Sequence, residues 1–241
     1  MRLWQIVLPQ PFLYGAKDMA GRITAIRVQK RNPERANIYL DGEFAFGLEL
    51  IEAAKLSRGQ LLDDNEIAAL KVIDEIGRAR EAALTFLAHR PRSKSEIVQR
   101  LNKRGYPEPA IEAALERLER AGLVDDRAFA GYWVRNREQF RPRGRYALRQ
   151  ELQQKGVDSE VVDAALEDLD EGESAYRAAL ERVARWARLD ERAAKQKLAG
   201  FLQRRGFGYE VIQEVWARIQ AERTTDDSVS EESEDAIRWE T

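Results

Sequence analysis

The sequence predicts a mainly α protein: tandem three-helix repeats forming a curved solenoid, preceded by a small unit that contains a β-hairpin. Three observations carry this expectation. A helix, a glycine stop and a second helix recur three times, with Leu101, Leu152 and Leu202 in one register and Gly105, Gly156 and Gly206 in another. The recurrence has a period of about 50 residues, which marks repeat architecture. The helix after each stop carries apolar residues at matching offsets: Ile111, Leu115 and Leu118, then Val162, Leu166 and Leu169, then Ile212, Trp216 and Ile219.

In chain order, residues 1–21 hold two prolines and no small-residue cleavage site, so they read as a flexible arm rather than a signal peptide. Met19 directly precedes the first strand and is a candidate start. Residues 22–62 read as a small β-containing unit. Arg22 to Lys30 is strand-like, Asn32-Pro33 marks a turn, and Asn37 to Phe46 reads as a hairpin with Asp41-Gly42 in a type I′ turn. That register sets Tyr39 opposite Phe44. Leu48 to Leu56 reads as a short helix and Gly59 to Leu62 as a return strand. A unit this small is expected to lean on its neighbour.

Residues 63–77 begin a long connecting helix, capped within Asp63-Asp64-Asn65 and running to about His89, with Ile67, Leu70, Ile73, Leu84 and Leu87 as its apolar residues. The three repeats follow at 78–122, 123–170 and 171–222. The first helix of the second repeat, capped by Asp125-Asp126, holds Phe129, Ala130, Trp133 and Val134. That of the third, roughly Ser174 to Arg188, holds Leu180, Val183 and Trp186. In the second helices an i, i+4 pair (Ile97 with Leu101, Leu148 with Leu152, Leu198 with Leu202) defines the buried face. The stop glycine is placed at C′, where φ > 0 costs it little. The apolar residue after it (Tyr106, Val157 or Phe207) is expected to close a Schellman motif on the marked leucine. Residues 223–241 are rich in Ser, Thr, Asp and Glu and read as an acidic disordered tail.

Composition limits the chemistry. The chain has no cysteine, which excludes disulfides and thiol catalysis and fits a reducing compartment. His89 is the only histidine, near a helix end, and reads as a solvated terminal residue. No Cys/His cluster suits zinc, and Asp125-Asp126 reads as a helix cap rather than a metal pair. No cofactor is expected, and no apolar run reaches the length of a membrane span. The net charge is −2, but residues 223–241 carry −5, so the rest of the chain is mildly basic at +3.

The basic residues are placed in register. Arg90-Pro91-Arg92 and Arg141-Pro142-Arg143 occupy the same loop of successive repeats, and Arg192 stands there in the third. Proline stiffens the loop, and guanidinium forks suit phosphate or carboxylate partners. Lys94 and Arg100 lie on the second helix of the first repeat, Arg145 and Arg149 on that of the second, and Lys195 on that of the third. Arg104, Lys155 and Arg205 sit just before the stops, where positive charge suits the helix dipole, and are discounted. Arg141, Arg143, Arg145 and Arg149 form the densest patch. The third helices are acidic, with Glu108, Glu112, Glu116 and Glu119 in one and Glu160, Asp163 and Glu167 in the next, so a DNA phosphate backbone would repel them. Insertion of the last helix into a major groove is therefore a poor reading.

Three stretches resemble the bacterial regulatory protein RecX family: Arg92-Ser-Lys-Ser-Glu-Ile-Val-Gln-Arg-Leu101, Gly122-Leu-Val-Asp-Asp-Arg-Ala-Phe-Ala130, and Gly144 leading to Glu151-Leu-Gln-Gln-Lys-Gly156. The match spans about 78–222. Ile38 to Phe46 looks like the N-terminal extension of some members, and the acidic tail is outside the pattern. The resemblance implies a cytoplasmic, non-catalytic regulator in DNA repair, homologous recombination and the SOS response. Its partner would be the RecA recombinase, chiefly its filament on single-stranded DNA, whose strand exchange, ATPase and coprotease activities it would mostly restrain. It implies no catalytic residues, no membrane and a monomer. Contact with RecA or a DNA backbone is expected at Arg90, Arg92, Lys94, Arg100, Arg141, Arg143, Arg145, Arg149, Arg192 and Lys195. The alternative is a stand-alone nucleic-acid-binding helical-repeat module.

Overall fold

A computed structural model describes residues 20–186 and 188–238, with side chains described except at 181 and 224–238. The described chain divides into two compact units, one ending at Arg90 and resuming over Ile97–Leu123, the other comprising Pro91–Glu96 and the chain from Val124 onward. Most of the arm expected over 1–21 falls outside the described residues.

In the first unit, β1 (Gly21–Val28), β2 (Arg35–Leu40), β3 (Glu43–Glu49) and β4 (Leu61–Leu62) form an antiparallel sheet in the order β3-β2-β1-β4. The hairpin turn is the expected one, with φ of 48° at Asp41 and 96° at Gly42. Tyr39 pairs with Phe44, and their rings meet edge-on at 6.0 Å. The short helix α1 covers Leu50–Ala53. Ile23, Ala36, Ile38, Phe46 and Leu48 form a core that also takes in Ile67 of α2 (Asp64–Leu87). Arg35 pairs with Asp74, and Arg80 with Glu49 at 3.0 Å, so the sheet does lean on that long helix. Asp63 caps α2 in a reciprocal box with Glu66. After α3 (Lys94–Lys103), whose last turns belong to this unit, α4 (Glu108–Arg120) packs against α2.

The second unit holds the first turn of α3 and two further three-helix groups. The first group is α5 (Asp126–Phe140), α6 (Arg145–Gln154) and α7 (Ser159–Leu166). The second is α8 (Glu171–Val183), a 3-10 turn over Ala184–Trp186, α9 (Glu191–Gln203) and α10 (Tyr209–Arg238). Each has its own core: Phe129, Leu148, Leu152, Val162 and Leu166 in one, Tyr176, Leu198, Leu202, Ile212 and Trp216 in the other. The fold is thus mainly α, with tandem three-helix repeats after a small antiparallel β unit. At the edge of the last core, Tyr176 donates to Glu222, which raises the phenol above its ordinary value and lowers the carboxyl below its own. Arg218 lies over the Tyr176 ring at 3.5 Å and pairs with Glu173 at 2.9 Å.

The glycine stops close as Schellman motifs in all three copies. The N–H groups of Tyr106, Val157 and Phe207 donate to the carbonyls of Leu101, Leu152 and Leu202 at 3.3, 3.2 and 3.2 Å, and each stop glycine has φ between 72° and 83°. A fourth motif, unanticipated, ends α4 at Gly122, where the N–H of Leu123 reaches the Leu118 carbonyl at 2.9 Å.

Two leucines read from the sequence as apolar helix positions lie outside the core. Leu180 and Leu84 are exposed, at 47% and 39%. The buried face of α8 is instead Ala175, Tyr176, Ala178 and Ala179, and that of α2 includes Ala79, Ala82 and Ala83. Small side chains let helices approach closely, so the alanine stripe, not the bulkier leucine, takes the interior. α10 runs from Tyr209 to Arg238 and so covers most of the stretch expected as an acidic disordered tail, whose side chains beyond 223 lie outside those described.

Candidate functional site

The repeats in the second unit meet through one recurring joint. The N-cap position of a second helix sits against the residue before the stop of the following repeat. Ser93 Oγ donates to the Lys155 carbonyl at 2.6 Å, and the Gly144 N–H donates to the Arg205 carbonyl at 2.9 Å. Ser93 also accepts from the Glu96 N–H at 3.1 Å, in a capping box that opens α3. Asp126 accepts from the Lys94 N–H at 2.8 Å, and Asp125 caps α5, so this pair serves helix starts. No group of side chains suited to a metal ion occurs among the described residues.

The densest sequence patch separates into two kinds of arginine. Arg145 donates to the carbonyls of Leu166 and, at 3.1 Å, Leu169, and lies 3.8 Å from Glu171. It satisfies the orphan carbonyls at the end of α7. Arg149 pairs with Asp163 of α7. Arg143 Nε is 3.6 Å from Glu151, a carboxylate that also accepts from Trp133 Nε1 at 2.8 Å and Arg137 Nε at 2.7 Å. Arg141 is exposed and has no side-chain partner among the described residues.

The other basic positions are dispersed. Arg90 and Arg100 belong to the first unit, with the Arg100 guanidinium 5.6 Å from the Phe86 ring centre. Arg92, half-buried, and Lys94, exposed, belong to the second. Arg192 is exposed and Lys195 half-buried on α9. His89 is exposed beyond the end of α2.

What the structure brings together is a cleft of about 260 Å³ lined by Arg141, Arg143, Phe201, Arg204 and Arg205. Arg205 Nη1 donates to the Pro142 carbonyl at 3.1 Å, and its guanidinium lies 4.6 Å from the Phe201 ring centre. The stiff Arg-Pro-Arg loop of one repeat therefore meets the end of the second helix of the next. Phe201 gave no signal in the sequence, and Arg204 and Arg205, basic residues at the end of the third repeat's second helix, were not among the expected contact residues. The helix-dipole argument accounts for Arg205 locally and hides its second role.

A helical-repeat protein with a basic cleft at a repeat boundary is the class this architecture defines. Comparison with known proteins makes the class specific. The chain matches the Regulatory protein RecX N-terminal domain over residues 21–63, and the RecX first, second and third three-helix domains over 79–118, 125–166 and 170–216. It is 33% identical to Regulatory protein RecX of Bacillus licheniformis over 195 residues, 79% of this chain and 74% of that one. It is 35% identical to the protein of the same name from Geobacillus thermodenitrificans, over 80% of this chain and 75% of the other. The crystal structure of a regulatory protein RecX, 33% identical, superposes with a TM-score of 0.66 over 81% of this chain and 98% of that one. RecX from Lactobacillus salivarius, 23% identical, shares the fold with a TM-score of 0.56 over 61% of this chain and 98% of its own. The chain belongs to the RecX family. Among the described residues no helix is long and apolar enough to cross a membrane.

Proposed function

We propose that this protein is a non-catalytic regulator that acts in the cytoplasm as a monomer on the RecA recombinase. In this reading it binds the RecA filament on single-stranded DNA and mostly restrains strand exchange, ATP hydrolysis and coprotease activity. The observation that carries the reading is the succession of four RecX domains across residues 21–216. The names of the relatives, all regulatory proteins, agree with it. The side-chain chemistry also agrees: grouped charged residues cap helices, tie helices together or line an open cleft.

Filament contact is assigned to the basic loops and second helices, with Arg141 and Arg192 presenting exposed guanidiniums and Arg145 and Arg149 holding α7 in place. The test is co-sedimentation with RecA assembled on single-stranded DNA, together with its DNA-dependent ATP hydrolysis. Binding with slowed hydrolysis is expected. No co-sedimentation and unchanged hydrolysis would remove the proposal.

A further inference from the structure

We infer that the cleft formed by Arg141, Arg143, Arg204, Arg205 and Phe201 is a phosphodiester site for a single strand of nucleic acid. The inference deepens the filament reading by naming a polymer contact, and rests on that reading only in its biological setting. Four guanidiniums line one small cleft with no carboxylate in its lining. Glu151, which is not part of that lining, lies 3.6 Å from Arg143 and is shared with Arg137 and Trp133. Arg143 and Arg205 are thus pre-placed, one by Glu151 and one by the Pro142 carbonyl and the Phe201 ring. Arg141 and Arg204 are exposed and have no side-chain partner among the described residues. Two fixed and two adaptable forks around one opening suit a tetrahedral phosphate, which accepts from several directions at once.

The surroundings favour a chain of phosphates over an isolated anion. Lys197 lies one turn before Phe201 on the same face of α9 and extends the positive charge of that face beyond the cleft. From 197 to 204 a helix rises about 10 Å, long enough for more than one phosphate of a strand. Glu191 is the one acidic residue of α9. The Phe201 ring is packed by Arg205, Arg182 and Trp186 and so serves to hold guanidiniums in place, and a positive groove of this kind tracks the backbone of a flexible single strand. An acidic peptide offers carboxylates one at a time and is the competing occupant.

The test is fluorescence anisotropy of a labelled twenty-residue oligothymidylate with the full chain, across a salt series. Arg141→Glu with Arg204→Glu alters two side chains without structural partners, and a thermal melt checks that the fold is kept. This variant is expected to bind at least ~10-fold more weakly, with the salt dependence shallower by about 0.7 for each phosphate no longer neutralised. A control with the same charge change elsewhere, Lys103→Glu with Arg117→Glu, is expected to lose less than about threefold by screening of distant charge. Equal losses in the two variants would overturn the site. So would displacement of the oligothymidylate by oligoglutamate at equal charge concentration, which would give the cleft to acidic peptides. RecA co-sedimentation, run in parallel, separates the two ideas. Oligonucleotide binding without filament binding sinks the regulatory reading alone, and filament binding with an unchanged oligonucleotide affinity in the cleft variant sinks the cleft alone.

Discussion

The first glycine stop and the two that follow look alike in sequence and differ in their surroundings. At Gly105 a Cβ would meet nothing within 4 Å. At Gly156 it would come within 2.4 Å of the Ser95 Cβ, and at Gly206 within 2.5 Å of the Ala147 Cβ and 2.8 Å of the Ala147 nitrogen. All three residues have positive φ. The first stop needs glycine only to turn the chain. The later two need it also because the start of the preceding repeat's second helix occupies the space a side chain would fill. One residue type at one register thus carries two separable physical demands, and substitutions can pull them apart.

The largest effect is expected at Gly144, which has an ordinary φ of −70° and suffers no backbone strain. Its added Cβ would lie 2.1 Å from the Gly206 carbonyl oxygen, backbone that cannot rotate away. Gly144→Ala is expected to cost about 3–5 kcal/mol, at the upper end for point mutants, because the joint must open and the bond to the Arg205 carbonyl must break. Chemical denaturation measures this, and a cost below about 1 kcal/mol, the ordinary level for a point mutant, would show that the repeats are not locked there. Next come Gly206→Ala and Gly156→Ala. The left-handed conformation costs an L-residue about 1–2 kcal/mol, and overpacking adds about 1–3 kcal/mol. Serine at 95 and alanine at 147 are too short to swing clear, so both terms are expected in full.

Arg145→Ala probes the other end of a repeat. α4 ends with a glycine motif at Gly122, whereas the end of α7 has no such glycine and its carbonyls are met by the Arg145 side chain. Removing that side chain is expected to cost about 1–3 kcal/mol, the penalty for leaving hydrogen-bonding groups at a helix end unsatisfied. Oligonucleotide affinity should change far less than with Arg141→Glu. A stable Arg145→Ala variant with reduced affinity would return this residue to the binding surface.

These contrasts also show what a sequence can reveal. The leucine pairs, the stops and the residue after each stop are local patterns within six residues, and they define helix ends and core register correctly. The alanine faces of α2 and α8 were hidden because burial by close approach leaves no large apolar signal. The double use of Gly206 was hidden because Ala147 lies in another repeat. Arg145 looked like a surface cation because its acceptors at Leu166 and Leu169 are more than 20 residues away. The cleft required Arg205 to meet Pro142 across a separation of 63 residues.

A smaller effect is expected at Ser93, the counterpart of Gly144 in the preceding repeat. Here the joint is made by a hydroxyl rather than a backbone N–H, bridging the Lys155 carbonyl and the Glu96 N–H. Ser93→Ala removes a buried bond and a helix cap but adds no clash, so a loss of about 1–2 kcal/mol is expected. Ser93→Gly keeps an N-cap-compatible backbone and loses only the hydroxyl bonds. If it is no less stable than the wild type, the hydroxyl bond to Lys155 contributes nothing and the joint rests on packing alone.

The smallest effect is expected at Gly105, and it sharpens the comparison most. With open space around the missing Cβ, Gly105→Ala is left with conformational strain alone, about 1 kcal/mol. Gly105→Asn should recover part of that, because asparagine tolerates the left-handed region better than alanine. Gly206→Asn should recover nothing, since its larger side chain meets the same Ala147 wall. Measured stabilities that rank Gly105→Ala beside Gly206→Ala would mean that strain, not the neighbouring repeat, governs every stop. A Gly206→Asn variant as stable as Gly105→Asn would carry the same meaning, because only the preceding helix, packed against one position and not the other, distinguishes the two.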